Sequence, residues 1–368
     1  VRRTPALIVG GGPAGAVAAL LLARAGAPHL LVERNAETGD ALCGGFLSWR
    51  TLDALERIGI ARDDLNRTRI DWLRLFAGSR SAEARLPRPA LAVSRRRLDS
   101  LLLDHAATAG AAIERGVAVR AAGDGVARLA DDGEIAPDAL FLATGKHDLR
   151  GLARGAERGD DPTLGLRVRL GPSAALDRMV DGAIELHLFD RGYAGLARQE
   201  DGTVNLCMAV HRSRLAEAGS PDALLAALGV DSPRLGERLA HRANSAAIDA
   251  VANVPYGWRA TLGKSGLFRL GDQAACIPSL AGEGMGIAIE SGTRAAKAYL
   301  RHGADGADEY QRTLARDLSL PFAIADRIRA AAERPLWAGA LTAAVRLAPQ
   351  LAGVAARLTR INHKPLDE

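Results

Sequence analysis

The chain has 368 residues, of which 48% are hydrophobic and 25% charged, enough for one large or two closely joined folding units. Its net charge of +5 comes almost wholly from arginine, lysine occurring only at Lys146, Lys264, Lys297 and Lys364. Few aromatics and no basic block with interleaved stacking residues argue against nucleic acid; no run is apolar enough to span a bilayer; and Cys43, Cys207 and Cys276 are too scattered for a metal site or a disulfide framework.

The first element is the strand Ala6–Val9, which meets Gly10-Gly11-Gly12-Pro13-Ala14-Gly15 and then an apolar helix pattern from Ala16 to Ala25. The strand pattern begins at once, which predicts no signal peptide and a cytoplasmic setting. Gly10, Gly12 and Gly15 stand at the G-x-G-x-x-G spacing. In a dinucleotide fold the first makes the tight turn, the second lets backbone approach a pyrophosphate, and the third lets helix pack on strand. Pro13 suits the first helical turn, where its missing N–H costs little. Leu30–Arg34 reads as the second strand, and Glu33 at its end has the spacing of a ribose-binding carboxylate.

Cys43-Gly44-Gly45 implies backbone passing close to something flat or charged, and Trp49–Ile58 has helical periodicity. Trp72–Phe76 and Ala82–Leu86 read as a hairpin around Gly78-Ser79. Arg95 opens an amphipathic helix, where a cation opposes the helix dipole unless an anion neutralises it; a solvated basic turn and a cofactor-phosphate contact both fit. Ile113–Val119 reads as a strand. Asp138–Ala143 is a buried-type strand ending in Thr144-Gly145, a second place for backbone to approach a ligand. Arg154 to Thr163 looks like a crossing between domains.

From Leu164 to Val210 the period changes to two, which predicts an antiparallel sheet with one packed face and one facing solvent or a ligand. Helical patterns follow at Asp222–Leu228 and Arg234–His241. Gly266–Asp272 is a strand ending in Gly271-Asp272. A small-residue loop through Pro278 and Gly282 leads to a helix from Met285 to Leu300. The carboxylate suits polyol hydroxyls, and the helix N-terminus suits negative charge. Ser319 to His363 is helical, alanine-rich and arginine-dotted, with Pro321, Pro335 and Pro349 as breaks. It reads as a helical cap or as a basic amphipathic surface for membranes or lipidic substrates.

With these pieces in place the chain resembles FAD-dependent oxidoreductases of the geranylgeranyl reductase and group A flavoprotein monooxygenase superfamily. The resemblance implies an α/β fold: a glutathione-reductase-type Rossmann FAD-binding domain with an inserted antiparallel-sheet substrate domain and C-terminal helices. The implied boundaries are 1–150 (with the hairpin near 70–90) and 262–300 for the FAD-binding domain, 151–261 for the substrate domain and 301–368 for the helical region. Gly10, Gly12, Pro13, Ala14, Gly15, Glu33 and Arg34 resemble the pyrophosphate and ribose site. Arg95 resembles the arginine of the family's R-x-x-x-D helix start, Val119 the strand residue whose backbone meets adenine. Cys43-Gly44-Gly45 and Gly271-Asp272 with Gly282-Glu283-Gly284 and Ser291-Gly292 are similar to the reductase branch, and Met285 and Gly286 continue that helix start. Thr144-Gly145 stands where hydroxylases carry Asp-Gly, a motif tied to FAD and pyridine-nucleotide handling. Of the reductase branch's Y-x-W-x-F-P, only the tyrosine is matched, by Tyr193.

The family chemistry is FAD-dependent oxidoreduction. The first expectation is a monooxygenase that hydroxylates a hydrophobic or aromatic small molecule through a flavin C4a-(hydro)peroxide. The alternative is a C=C reductase of an isoprenoid or polyketide-like substrate, and a distant third is a lipophilic-ligand carrier. Pro278 and Gly282 are expected to line the reaction face. Tyr193, Arg167 and His211 are the catalytic candidates on the substrate sheet, with Arg169 and His187 as further polar residues there. The electron donor is NAD(P)H or a separate flavin reductase; no metal is expected.

Overall fold

The computed structural model describes residues 1–155, 159–243 and 246–362. The chain opens with β1 (Arg2–Val9), α1 (Pro13–Arg24) and β2 (Leu30–Glu33). The short β3 (Phe46–Leu47), α2 (Trp49–Arg57) and α3 (Arg62–Leu65) lead to the hairpin of β4 (Ile70–Ala77) and β5 (Arg80–Ala92). Ser48 caps α2 by accepting from the Thr51 N–H, which satisfies one of the helix's orphan donors. After α4 (Arg95–Thr108) come β6 (Ala112–Arg115), β7 (Val119–Gly123), β8 (Val126–Leu129) and β9 (Glu134–Leu142). The expected strand Ile113–Val119 is therefore two strands. Gly116, at φ +74°, breaks it, a conformation glycine adopts without strain.

The middle of the chain holds β10 (Thr163–Leu170), α5 (Ala174–Val180), β11 (Ala183–Phe189), β12 (Gly192–Arg198) and β13 (Val204–His211). Then follow α6 (Arg212–Ala218), α7 (Pro221–Asp231), α8 (Pro233–Leu239) and β14 (Ile248–Val251). The chain returns through β15 (Leu267–Arg269) to α9 (Gly284–His302), and ends in α10 (Gly306–Asp317), α11 (Ser319–Ala332), α12 (Pro335–Leu347) and α13 (Gln350–Leu358). Pro335 and Pro349 fall at helix starts. Pro321 does not break α11, because it sits in the first turn, where no intrahelical N–H is lost.

Among the described residues, one sheet runs β6-β2-β1-β9-β8-β7, with β15 added alongside β9. β1 is parallel to β2 on one side and to β9 on the other. The chain order thus reverses at β1, which opens a crevice at the strands' C-terminal ends. β9 takes β8 as partner at Ile135 and β15 at Leu140–Leu142. The ends of β1, β9 and β15 therefore converge, although residues 143–266 lie between the last two. A buried core of Ile8, Leu20, Phe141, Phe268 and Ile289 locks α1, α4 and α9 onto this sheet.

The second sheet runs β14-β10-β13-β12-β11-β4-β5-β3. Its strands β10, β13, β12 and β11 pair antiparallel, as expected from Leu164 to Val210; beyond them β11 lies parallel to β4, with Ala183 opposite Trp72 and Leu188 opposite Ala77. The hairpin expected within residues 1–150 is thus part of the second sheet; it is the long β4–β5 ribbon, whose exposed edge β11 covers. Alternation sorts the faces. Leu166, Val168, Ala194, Leu196 and Leu206 point to a core shared with α5, α7 and α8. Their neighbours Gly165, Gly195 and Cys207 point the other way, into a cavity.

Candidate active site

That cavity, of about 360 Å³, lies between the two sheets and reaches from Gly12 to α13. Its polar end is made of turns. Gly12, Pro13 and Ala14 line it from the β1–α1 turn, Cys43 to Gly45 from the segment before β3, Ala143 and Gly145 from the end of β9, and Gly271 and Asp272 from the end of β15. Two glycines behind this wall, on either side of Gly12, are required sterically. A Cβ on Gly10 would stand 2.4 Å from the Ala143 carbonyl oxygen, and one on Gly15 2.0 Å from that of Gly10. Gly292 does the same work for α9: its Cβ would stand 2.3 Å from the Ala14 carbonyl oxygen, and the preceding Ser291 Oγ accepts from the Gly271 N–H at 2.8 Å.

The side chains at this end are charged and held. Glu33 accepts from the Gly11 N–H at 2.7 Å and from the Asn35 N–H at 2.9 Å, so its carboxylate stands at the glycine turn. Arg95 lines the cavity and bonds Asp99 through two nitrogens, at 2.9 and 2.7 Å. Burial works against the Arg95 charge, but the Asp99 carboxylate outweighs it and the guanidinium stays firmly protonated. Lys146, which the sequence reading passed over, lines the cavity 3.7 Å from Asp272. Burial opposes its charge too; the Asp272 carboxylate holds its pKa above the ordinary range. Arg154 ties the two strand ends together, donating to the Asp272 carbonyl at 3.0 Å and the Lys146 carbonyl at 2.6 Å.

The far end is apolar. Ile184, Leu186 and Leu188 of β11, Leu73 and Leu75 of β4, and Leu341, Val345 and Leu351 of α12 and α13 line it. One hydroxyl cluster interrupts this surface, where the turn before α9 meets the second sheet. Tyr193 Oη lies 2.8 Å from Ser279 Oγ and accepts from the Leu280 N–H at 3.1 Å, while Tyr256 Oη donates to Ser279 Oγ at 2.7 Å. Burial pushes the Tyr193 phenol up to about 12 and also raises that of Tyr256. Gly282 follows in the left-handed region, at φ +63°, with its α-carbon side against Phe46.

Residues 3–150 match the FAD binding domain family. The menaquinone reductase of Mycolicibacterium smegmatis is 28% identical over 347 residues, covering 89% of this chain and 84% of that protein. PqsL from P. aeruginosa superposes with a TM-score of 0.72 at 17% identity, over 92% of this chain and 99% of PqsL. A geranylgeranyl bacteriochlorophyll reductase-like protein from Thermoplasma acidophilum superposes with 0.70 at 18% identity, over 98% and 94%. The chain is an FAD-dependent oxidoreductase, and its fold is shared with these two structures.

The residues of this oxidoreductase fit FAD. The glycine turn leaves the first N–H groups of α1 facing the cleft for phosphate, and Arg95 Nη2 stands 3.2 Å from where a Gly12 Cβ would be. Asp272 offers a carboxylate for hydroxyls, and Gly284 and Met285 bring the start of the 19-residue α9 to the cavity wall. Gly286 lies behind them, where a Cβ would meet Glu283 Oε1 at 2.7 Å. Arg34 is outside the cavity lining, with Nη2 3.0 Å from His147 Nε2. Val119 and Thr144 are outside the cavity lining. The chain before Val119 runs beside the acid, through a Val117 N–H bond to the Glu33 carbonyl at 3.0 Å, and the Thr144 hydroxyl donates to the His147 carbonyl at 2.6 Å.

Three catalytic candidates are elsewhere. Arg167 points along the Gly165 face but is spent on Asp249 at 2.6 Å and Asp40 at 3.0 Å, so it pins the segment before Cys43. Arg169 bonds the same Asp40. His211 sits at the end of β13 between the Asp161 carbonyl and Glu333 Oε2, both at 3.1 Å. Pro278 is buried outside the cavity lining, and the polar group its turn presents is Ser279. His187 points to the opposite face of the sheet, 3.2 Å from Glu185 and stacked on Phe76. Ser279 and Tyr256 were missed. A lone serine in the otherwise apolar turn Ile277-Pro278-Ser279-Leu280 was the available signal.

Proposed function

We propose that this oxidoreductase reduces a carbon–carbon double bond in a long isoprenoid chain, carried by a lipid-soluble quinone of the class that the relatives' name, menaquinone reductase, points to. The observation that carries the reading is Tyr193: one phenolic O–H, kept protonated by burial in an apolar cavity and held by two donors at the turn that leads into α9. Reduced FAD bound in the cleft supplies a hydride. Tyr193 Oη gives its proton to the other carbon of the bond, so the alkene gains two hydrogens and nothing leaves. The phenolate left behind accepts from the Leu280 N–H and the Ser279 O–H, an arrangement that stabilises developing negative charge. Tyr256, bonded to the far side of Ser279 Oγ, returns the proton through that hydroxyl. The leucines of β4, β11 and α12 hold the chain and exclude water.

Product mass under anaerobic conditions tests this. Chemically reduced holoenzyme is mixed with menaquinone, and the product is re-oxidised in air before analysis. A gain of two hydrogens that survives ring re-oxidation is the expected result. A product that gains one oxygen atom, and only after O₂ is admitted, makes the enzyme a monooxygenase instead.

A further inference from the structure

Helix α12 buries one face, α13 half-buries one, and both present the other to solvent. The inward face of each packs on β5. On α12 the outward residues are Leu336, Ala340, Ala343 and Leu347, a spacing of four, three and four that puts them on one stripe. Trp337 lies beside them, 61% exposed, and Leu336 and Leu347 are each 87% exposed. On α13, Leu351, Val354 and Leu358 repeat the pattern and are exposed as well. Scattered single leucines on a surface need no explanation, but an apolar stripe continued over two helices does.

Two further observations say what covers this face. First, residues 335–362 contain no acidic side chain, while Arg346 and Arg357 are exposed on the same helices and Arg334 directly precedes them. An apolar stripe whose own helices carry charges of positive sign alone matches the depth profile of an anionic bilayer, apolar below and negatively charged at the surface. Second, the stripe is continuous with the cavity. Leu351 belongs to both, and Leu341, Ala344, Ala352 and Ala355 on the inner side of the same helices line the apolar end.

We infer that the outer face of α12 and α13 docks on an anionic lipid bilayer and sets the apolar mouth of the cavity against the acyl chains. A lipid-soluble molecule then passes from membrane to cavity without crossing water. The docking rests on the surface alone and holds whichever bond the enzyme reduces.

Flotation of the FAD-loaded enzyme with phosphatidylcholine vesicles containing about 30% phosphatidylglycerol tests it. The wild type is expected to float, and to float less with pure phosphatidylcholine or at about 0.5 M salt. The double variant Leu336→Glu/Leu347→Glu, at positions outside the cavity lining, is expected to partition about tenfold less or lower still. Its turnover of a short-chain, water-dispersible quinone should be unchanged, which separates failed docking from failed chemistry. Trp337 emission should be quenched by brominated lipid in the wild type. The inference is overturned if the wild type does not float or if the variant floats equally well. It is also overturned if the wild type is a dimer that the double substitution dissociates while neither form floats, since the face is then a subunit interface.

Discussion

At the cofactor end of the cavity the wall is mostly backbone: three strand ends, two helix starts and the glycine turns beside them. At the other end it is mostly side chain, supplied by strands and helices from Leu73 to Ala356. The first surface recognises a ligand whose phosphates and hydroxyls are always in the same places, so it is rigid and locally encoded. The second accepts an apolar body and holds one directed group, the Tyr193 hydroxyl. Substitutions at the two ends should therefore fail differently, one by losing flavin and the other by losing rate.

The largest effect is expected at the glycine turn. Gly15→Ala puts a methyl group 2.0 Å from the Gly10 carbonyl oxygen, an overlap the turn relieves only by opening, at about 3 kcal/mol. The purified variant should be colourless with a lowered melting temperature. Asp272→Ala comes next. It removes a carboxylate and leaves Lys146 without its 3.7 Å partner, so FAD retention should weaken by about 2 kcal/mol with the fold intact. Full flavin absorbance after gel filtration would misplace that contact. At the apolar end, Ser279→Ala should keep its flavin and slow turnover by about tenfold, since it removes one of two donors to Tyr193; an unchanged kcat would take Ser279 out of the relay.

The smallest effect is a pH dependence of stability that belongs to the second sheet. Burial holds the His187 imidazole below its ordinary value, so the unfolded chain takes up a proton that the folded one refuses. Its contribution is complete above about pH 6.5 and falls as acid is added. Glu185 follows at lower pH. Burial opposes its charge, but bonds from His187 and Arg238 hold its pKa down, so its stabilisation is present above about pH 4.3 and lost below. Urea melts at about pH 7.5 and 5.5 should differ, and His187→Phe should flatten the slope. An equal slope in that variant would place the titrating group elsewhere.

The same contrast explains what could be read from the sequence. Gly15 packs on Gly10 and Glu33 bonds Gly11, pairs only a few residues or a few tens apart, so spacing alone exposes them. Gly271-Asp272 was legible because a strand, a short loop and a helix start recur there. The partnership of Tyr193, Tyr256 and Ser279 was not, because it depends on how β12 meets a turn more than eighty residues later. Arg167 and His211 show the converse: polar residues on the right sheet whose side-chain nitrogens already have partners, in Asp40 and Asp249 and in Glu333. The hairpin β4–β5 was legible as a hairpin, but its parallel partner β11 lies about a hundred residues downstream, and alternation within a strand says nothing about its neighbour.

The account stands most directly on anaerobic stopped-flow of the reduced holoenzyme against menaquinone. It predicts saturable flavin reoxidation without O₂, slowed about 10²- to 10⁴-fold in Tyr193→Phe with FAD affinity unchanged. A flavin that stays reduced until O₂ is admitted, or a Tyr193→Phe enzyme that reoxidises as fast as the wild type, would contradict it.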